Sequence, residues 1–157
     1  VHGLNRIKVR ISAMPKIVVS ACLAGESCRY DGGHKRNDVL ARLLESGQAI
    51  AVCPEVLGGL PVPRSPYEVL EGRVVGKGGE DVTREFESGA MQAVEQALEH
   101  GCTLAVLQPR SPSCGSGTIY DGSFQGRLIP GDGVFAAALK RAGIQVMAEN
   151  EWMEQNG

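Results

Sequence analysis

The chain has 157 residues, of which 43% are hydrophobic and 22% charged, with a formal net charge of −2. That length suits one domain with a sizeable core, and the composition is that of an ordinary globular protein. The near-neutral charge argues against a broad nucleic-acid footprint while leaving room for a local basic pocket, and no apolar run approaches the roughly 20 residues of a membrane-spanning helix.

Residues 1–13 neither begin with Met nor contain the long apolar segment of a signal peptide. They read as a tail foreign to the fold, ahead of a single domain at 14–157. The missing export signal makes the cytoplasm the expected compartment, where thiols stay reduced. An odd count of five cysteines then points to metal binding or catalysis rather than a disulfide framework.

The first apolar run, Ile17-Val18-Val19-Ser20-Ala21, reads as a strand and ends at Cys22. A helix is predicted from Asp38 to Glu45, capped by Asn37 and stopped by Gly47, with Val39, Leu40, Leu43 and Leu44 as its apolar stripe. Ala49-Ile50-Ala51-Val52 is the second strand and leads into Cys53. Glu68 to Val75 looks like a hairpin turning at Glu71-Gly72. A long helix runs from Thr83, as N-cap, to His100, with Phe86, Ala90, Val94, Ala97 and Leu98 facing inward and Gly101 closing it. Leu104-Ala105-Val106-Leu107 is the third strand. A helix at Val134 to Ala142, stopped by Gly143, precedes a last strand at Ile144 to Met147. This alternation implies βαβ units with right-handed crossovers. The expected fold is α/β, a Rossmann-like three-layer arrangement around a mostly parallel sheet of about four to five strands. No repeat or linker divides it.

Three long loops, Cys22 to Arg36, Cys53 to Pro66 and Pro109 to Gly133, follow strands and belong on one edge of such a sheet, where ligands bind. Each carries a cysteine: Cys22, Cys53 and Cys114. Three thiolates on one site make a metal or iron–sulfur cluster the leading idea. Cys28 stands where a phosphatase-type loop would need arginine, six positions after Cys22; its role stays open between a small buried residue and a ligand or redox thiol. Cys102 sits at the opposite end of its strand and reads as packing. Glu55, beside apolar Val56 and Leu57, is a candidate general base. Pro61 and Pro63 stiffen its loop, and Arg64 is placed to hold an anion or a carbonyl. Ser111 and Ser113 flank the third loop's thiol as hydroxyl donors, although turn chemistry is the plainer role for each. Gly131-Asp132-Gly133 leads into a helix whose N-terminus could receive an anion. His2, His34 and His100 lack the spacing of a zinc hydrolase, there is no Walker A sequence, and Gly115-x-Gly117 lacks the third glycine of a dinucleotide fingerprint.

Together, Ser20-Ala21-Cys22-Leu23-x-Gly25-x-x-Cys28-Arg29-Tyr30-Asp31-Gly32, then Cys53-Pro54-Glu55-x-x-Gly58-Gly59-Leu60-Pro61-x-Pro63-Arg64, then Ser111-Pro112-Ser113-Cys114-Gly115 resemble the thiouracil desulfidase family, long known only as a domain of unknown function. The resemblance spans Lys16 to Glu149. It implies a 4Fe–4S cluster held by three cysteines with one iron open, and removal of sulfur from a thiolated nucleobase such as 2-thiouracil to give uracil and hydrosulfide. Matched by motif, Cys22, Cys53 and Cys114 are the implied ligands, Glu55 the catalytic carboxyl and Ser111 the serine near substrate. Gln108 departs from the lysine expected there. The implied partner is a small molecule, without membrane or strong nucleic-acid contact, and oligomeric state is not legible. Two alternatives remain: a zinc or redox-thiol protein on the same cysteines, and a non-catalytic binding module using Arg29, Arg64 and Arg110.

Overall fold

The computed structural model describes residues 16–156, so the tail expected at 1–13 lies outside the described residues. The strands are β1 (Lys16–Ser20), β2 (Ala49–Val52), β3 (Tyr67–Leu70), β4 (Arg73–Gly76), β5 (Cys102–Leu107), β6 (Thr118–Tyr120), β7 (Leu128–Pro130) and β8 (Gln145–Ala148). The helices are α1 (Asp38–Glu45), α2 (Pro54–Leu57), α3 (Thr83–Glu99), α4 (Val134–Arg141) and α5 (Glu149–Asn156). None is long and apolar enough to cross a membrane.

Four strands pair in parallel in the order β2-β1-β5-β8. Side-chain alternation along them produces the layers. Val18, Ala105 and Leu107 point to one face, where Ala90, Ala93 and Ala97 of α3 and Phe135 and Leu139 of α4 cover them. Ile17, Val19 and Val106 point to the other, against Leu40 of α1 and Trp152 of α5. The result is the expected three-layer α/β fold. The chain winds outward from β1 to β2, then returns to build β5 and β8 on β1's other side. Between β1 and β5 lies the topological switch point, where a crevice opens beyond the strand carboxyl ends.

Local signals set most boundaries. The Asn37 side chain accepts from the amides of Val39 and Leu40, starting α1 as predicted. β3 and β4 form the expected antiparallel hairpin, and both central turn residues have positive φ, 50° at Glu71 and 80° at Gly72, as the tight primed turn requires. Thr83 differs from expectation. It is the first helical residue of α3 rather than its cap, because its hydroxyl donates to Asp81 and accepts from the Val74 amide of β4. Asp81 takes the capping role through the Thr83 amide. The last strand begins one residue later than predicted, since the Ile144 amide is held by the Leu139 carbonyl at the end of α4.

Three elements were not foreseen. α2 forms a single turn directly after Cys53, with Pro54 at its start. The third long loop contains an antiparallel ribbon, β6–β7. A terminal helix, α5, covers the second sheet face through Trp152.

Candidate functional site

The first loop leaves β1 through a 3-10 turn, Ala21–Ala24, in which every residue is buried. Cys22 is therefore fixed at the end of the central strand. Cys53 is the N-cap of α2, and Glu55 stands in that helix's first turn. Cys114 follows a loop seated on the start of α4: the Val134 amide donates to the Pro112 carbonyl, and the Phe135 and Ala136 amides donate to the Ser113 carbonyl. The anion site considered at that helix N-terminus is thus filled by backbone carbonyls. Asp132 likewise turns inward to the Gly117 amide and to Lys140.

A cavity of about 580 Å³ opens at this edge of the sheet and is lined by Cys22, Cys28, Cys53, Glu55, Ser111 and Cys114 among others. All candidate ligand and catalytic positions therefore reach one space, while Cys102 is buried in the first sheet-face core, as its place in the strand suggested. Cys22, Cys53 and Cys114 share this lining from three separate loops. They are near enough to act on one another. Burial pushes the Cys22 thiol up to about 11, the charge of Cys53 adds to this, and Arg29 opposes it. Burial also raises Cys114 well above an ordinary thiol, partly offset by the Ser20 and Ser113 hydroxyls. Cys53 Sγ reaches the Cys28 backbone carbonyl at 3.9 Å, and the closeness of the two thiols favours ionisation of Cys53 and keeps Cys28 protonated. The five cysteines are free thiols.

Glu55 differs from its sequence reading. Val56 is 42% exposed and so does not form the apolar surround the sequence suggested. Instead Arg64 Nε donates to Glu55 Oε1 at 2.9 Å, and Ser113 Oγ donates to Glu55 Oε2 at 2.8 Å. Ser111 Oγ lies 3.0 Å from Ser113 Oγ and accepts from the amides of Ser113 and Cys114. The same hydroxyl thus shapes the turn and joins a second serine. A polar chain runs Arg64–Glu55–Ser113–Ser111, and the serine on the carboxylate is Ser113, read from sequence as a hydroxyl donor, rather than Ser111, the serine matched by motif. The signal was present in the Ser111-Pro112-Ser113-Cys114 run, but nothing along the chain indicated which serine faces Glu55.

Arg64 holds both an anion and carbonyls. Besides Glu55, its guanidinium donates to the Pro61 carbonyl at 3.1 Å and to the Cys28 carbonyl at 2.9 Å. It is committed to the protein, which removes it from the set of arginines considered for an anionic ligand. Arg29 and Arg110 still line the cavity, with Arg29 over the Tyr30 ring. Gln108 also lines it, and its Oε1 is buried without a hydrogen-bond partner among the described residues. His34 and His100 serve local backbone, through the Arg36 amide and the Gln96 carbonyl; His2 lies outside the described residues.

Residues 17–151 match the family described as 2-thiouracil desulfurase. A curated relative, the uncharacterized protein YbbK of Bacillus subtilis (strain 168), is 42% identical over 145 residues, covering 86% of this chain and 96% of the relative. A solved structure of a 4Fe–4S-dependent thiouracil desulfidase, TudS (DUF523Vcz), superposes with a TM-score of 0.84 at 48% identity, covering 89% of this chain and 94% of that one.

Proposed function

This chain belongs to the 2-thiouracil desulfurase family, and on that premise we propose that it removes sulfur from a thiolated nucleobase such as 2-thiouracil, releasing uracil and hydrosulfide. The observation that carries the reading is the meeting of three soft thiols with a tethered carboxylate and two serine hydroxyls on one cavity.

The donor set fits a 4Fe–4S cluster. Cys22, Cys53 and Cys114 are three thiols from three separate loops that line one cavity, the soft donor set that iron–sulfur clusters take. They are the residues that would hold it, and three ligands would leave one iron without a protein donor. Bound there, the cluster would supply a soft Lewis acid for a thiocarbonyl sulfur. The chain's own groups then do the proton work. Arg64 and Ser113 fix Glu55 in one orientation, so that it takes a proton from a water attacking the thiocarbonyl carbon. Ser111 and Ser113 offer a hydroxyl path for that proton toward the departing sulfur. Gln108 Oε1 is buried without a partner among the described residues, and a small turn of its side chain would present it to a ring N–H. The net change is hydrolysis: the water oxygen replaces sulfur on carbon, the C–S electron pair leaves with sulfur, and no external electron donor is needed. Free thiols and a cluster suit a reducing compartment, so the cytoplasm remains the proposed location.

The test is anaerobic purification followed by sulfide release from 2-thiouracil. Wild-type protein is expected to hold about four irons and four labile sulfides per chain and to release sulfide. Glu55→Gln should keep the iron and lose at least about 100-fold in rate. A full cluster with no sulfide release by the wild type overturns the substrate assignment. The closeness of Cys28 and Cys53 favours the redox-thiol alternative as second reading; protein that stays colourless and iron-free after reconstitution would select it.

A further inference from the structure

Seven aromatic residues occur in the chain, three of them Tyr and three Phe. All three tyrosines, Tyr30, Tyr67 and Tyr120, line the cavity, and so does Phe124. The other two phenylalanines, Phe86 and Phe135, are 1% and 0% exposed in the core. Phe124 joins none of the three core clusters. Its placement therefore has another cause than core packing.

Phe124 also sits in a conformation that bulky residues avoid. Its φ is 59°, in the left-handed region that favours glycine. Such strain persists only where surrounding groups impose it. Here the imposing group is Glu68 on β3, whose Oε1 accepts from the Gly122 amide at 3.0 Å and the Phe124 amide at 3.1 Å. Gly122, at φ 93°, lies so close to Leu70 of the same hairpin that a Cβ there would crowd it. The segment between β6 and β7 is closed further by Asp121, whose amide donates to the Arg127 carbonyl and whose carboxylate accepts from Ser123. Among the described residues no Lys or Arg forms an ion pair with Glu68; its contacts are these backbone amides.

We propose that Phe124 is the wall against which the flat ring of the substrate stacks, and that Glu68 is the positioning residue that holds it there. Aromatic stacking recognises a planar heterocycle without reading its hydrogen-bonding edge. It leaves the thiocarbonyl free for the thiol side of the cavity and the ring edge free for Gln108. This rests on the desulfidase reading and adds the surface that selects a ring over an open-chain thiocarbonyl.

The test uses holoprotein and four proteins: wild type, Phe124→Gly, Glu68→Ala and Glu68→Gln. Phe124→Gly should raise KM for 2-thiouracil about tenfold with kcat nearly constant. Its melting temperature should not fall, because glycine takes this φ without strain. Glu68→Ala should raise KM similarly, and Glu68→Gln, which keeps an acceptor oxygen, should restore most of the loss. An unchanged KM in Phe124→Gly, a KM rise accompanied by a marked fall in melting temperature, or a Glu68→Gln protein as impaired as Glu68→Ala overturns the proposal. Calorimetric titration with uracil separates it from the desulfidase reading. If the wild type releases no sulfide, that reading fails, and uracil binding about tenfold weaker in Phe124→Gly still supports the wall. Equal binding, or none by either protein, overturns it.

Discussion

Arg64 joins three segments through one side chain. Its Nε, Nη1 and Nη2 reach the Glu55 carboxylate, the Pro61 carbonyl and the Cys28 carbonyl, and its own amide donates to the Tyr30 carbonyl. The guanidinium side chain is 3% exposed and that of Glu55 13%, so removing one partner leaves the other charge buried. Arg64→Met is expected to cost about 3 kcal/mol in urea denaturation, and Arg64→Lys should recover only part of it. Lysine restores the charge but cannot fork to two carbonyls and a carboxylate together. Equal stability of Arg64→Lys and wild type would show that charge alone matters. The sequence identified Arg64 as a residue for an anion or a carbonyl. Which anion it meets depended on the loop's return across Glu55, and no local pattern records that return. The same return explains why Glu55 faces an arginine and a serine rather than its apolar chain neighbours.

α2 is one turn long, and its position decides where Cys53 and Glu55 sit. It lies directly on α3 through two glycines. A Cβ on Gly58 would overlap the Glu85 carbonyl, and one on Gly89 would overlap the Pro54 carbonyl. Backbone meets backbone, so no side-chain rotation can make room. Gly89→Ala is expected to destabilise the protein by about 1–3 kcal/mol in chemical denaturation, although alanine is the better helix former by about 1 kcal/mol. It should also slow sulfide release, because the relief available is to push α2 off α3 and carry Glu55 with it. A stability gain would mean that α2 does not pack this closely. At this scale the sequence was clear wherever chemistry is local. Asn37 caps α1, Glu71-Gly72 turns a hairpin, and Gly101 and Gly143 follow helix ends. It was silent where an element is short and held by contacts elsewhere. α2, with four residues, has no periodicity to read, and β6–β7 is a ribbon of three-residue strands, shorter than the alternation a strand signal needs.

The whole molecule gathers thiols from three strand–loop units at the switch point, and that arrangement has a pH signature. Burial holds Cys22 up to about 11 and raises Cys114 as well, so both are protonated in the metal-free protein near neutrality. With these thiols as the proposed cluster ligands, iron would take the thiolate and loading would displace protons. The sign follows: the proton cost falls as pH rises, so reconstitution should go further at about pH 8.5 than at about pH 6.5. Cluster absorbance read against pH checks this, and loading independent of pH would place the iron on other groups.

Alternation of apolar runs with capped helices determined the layered α/β fold, because a parallel sheet with right-handed crossovers is the arrangement that buries both faces of such strands. The motif spacing determined which loops reach the sheet's carboxyl edge and which cysteines travel with them. Tertiary structure alone decided how those loops face one another: Arg64 across Glu55, Ser113 against the same carboxylate, Cys28 beside Cys53, and Glu68 beneath Phe124. The reason is range. Caps, turns and strand periods are set by neighbours along the chain. The hydrogen bonds that orient this site join residues distant in sequence, and a pattern read along the chain contains no term for them.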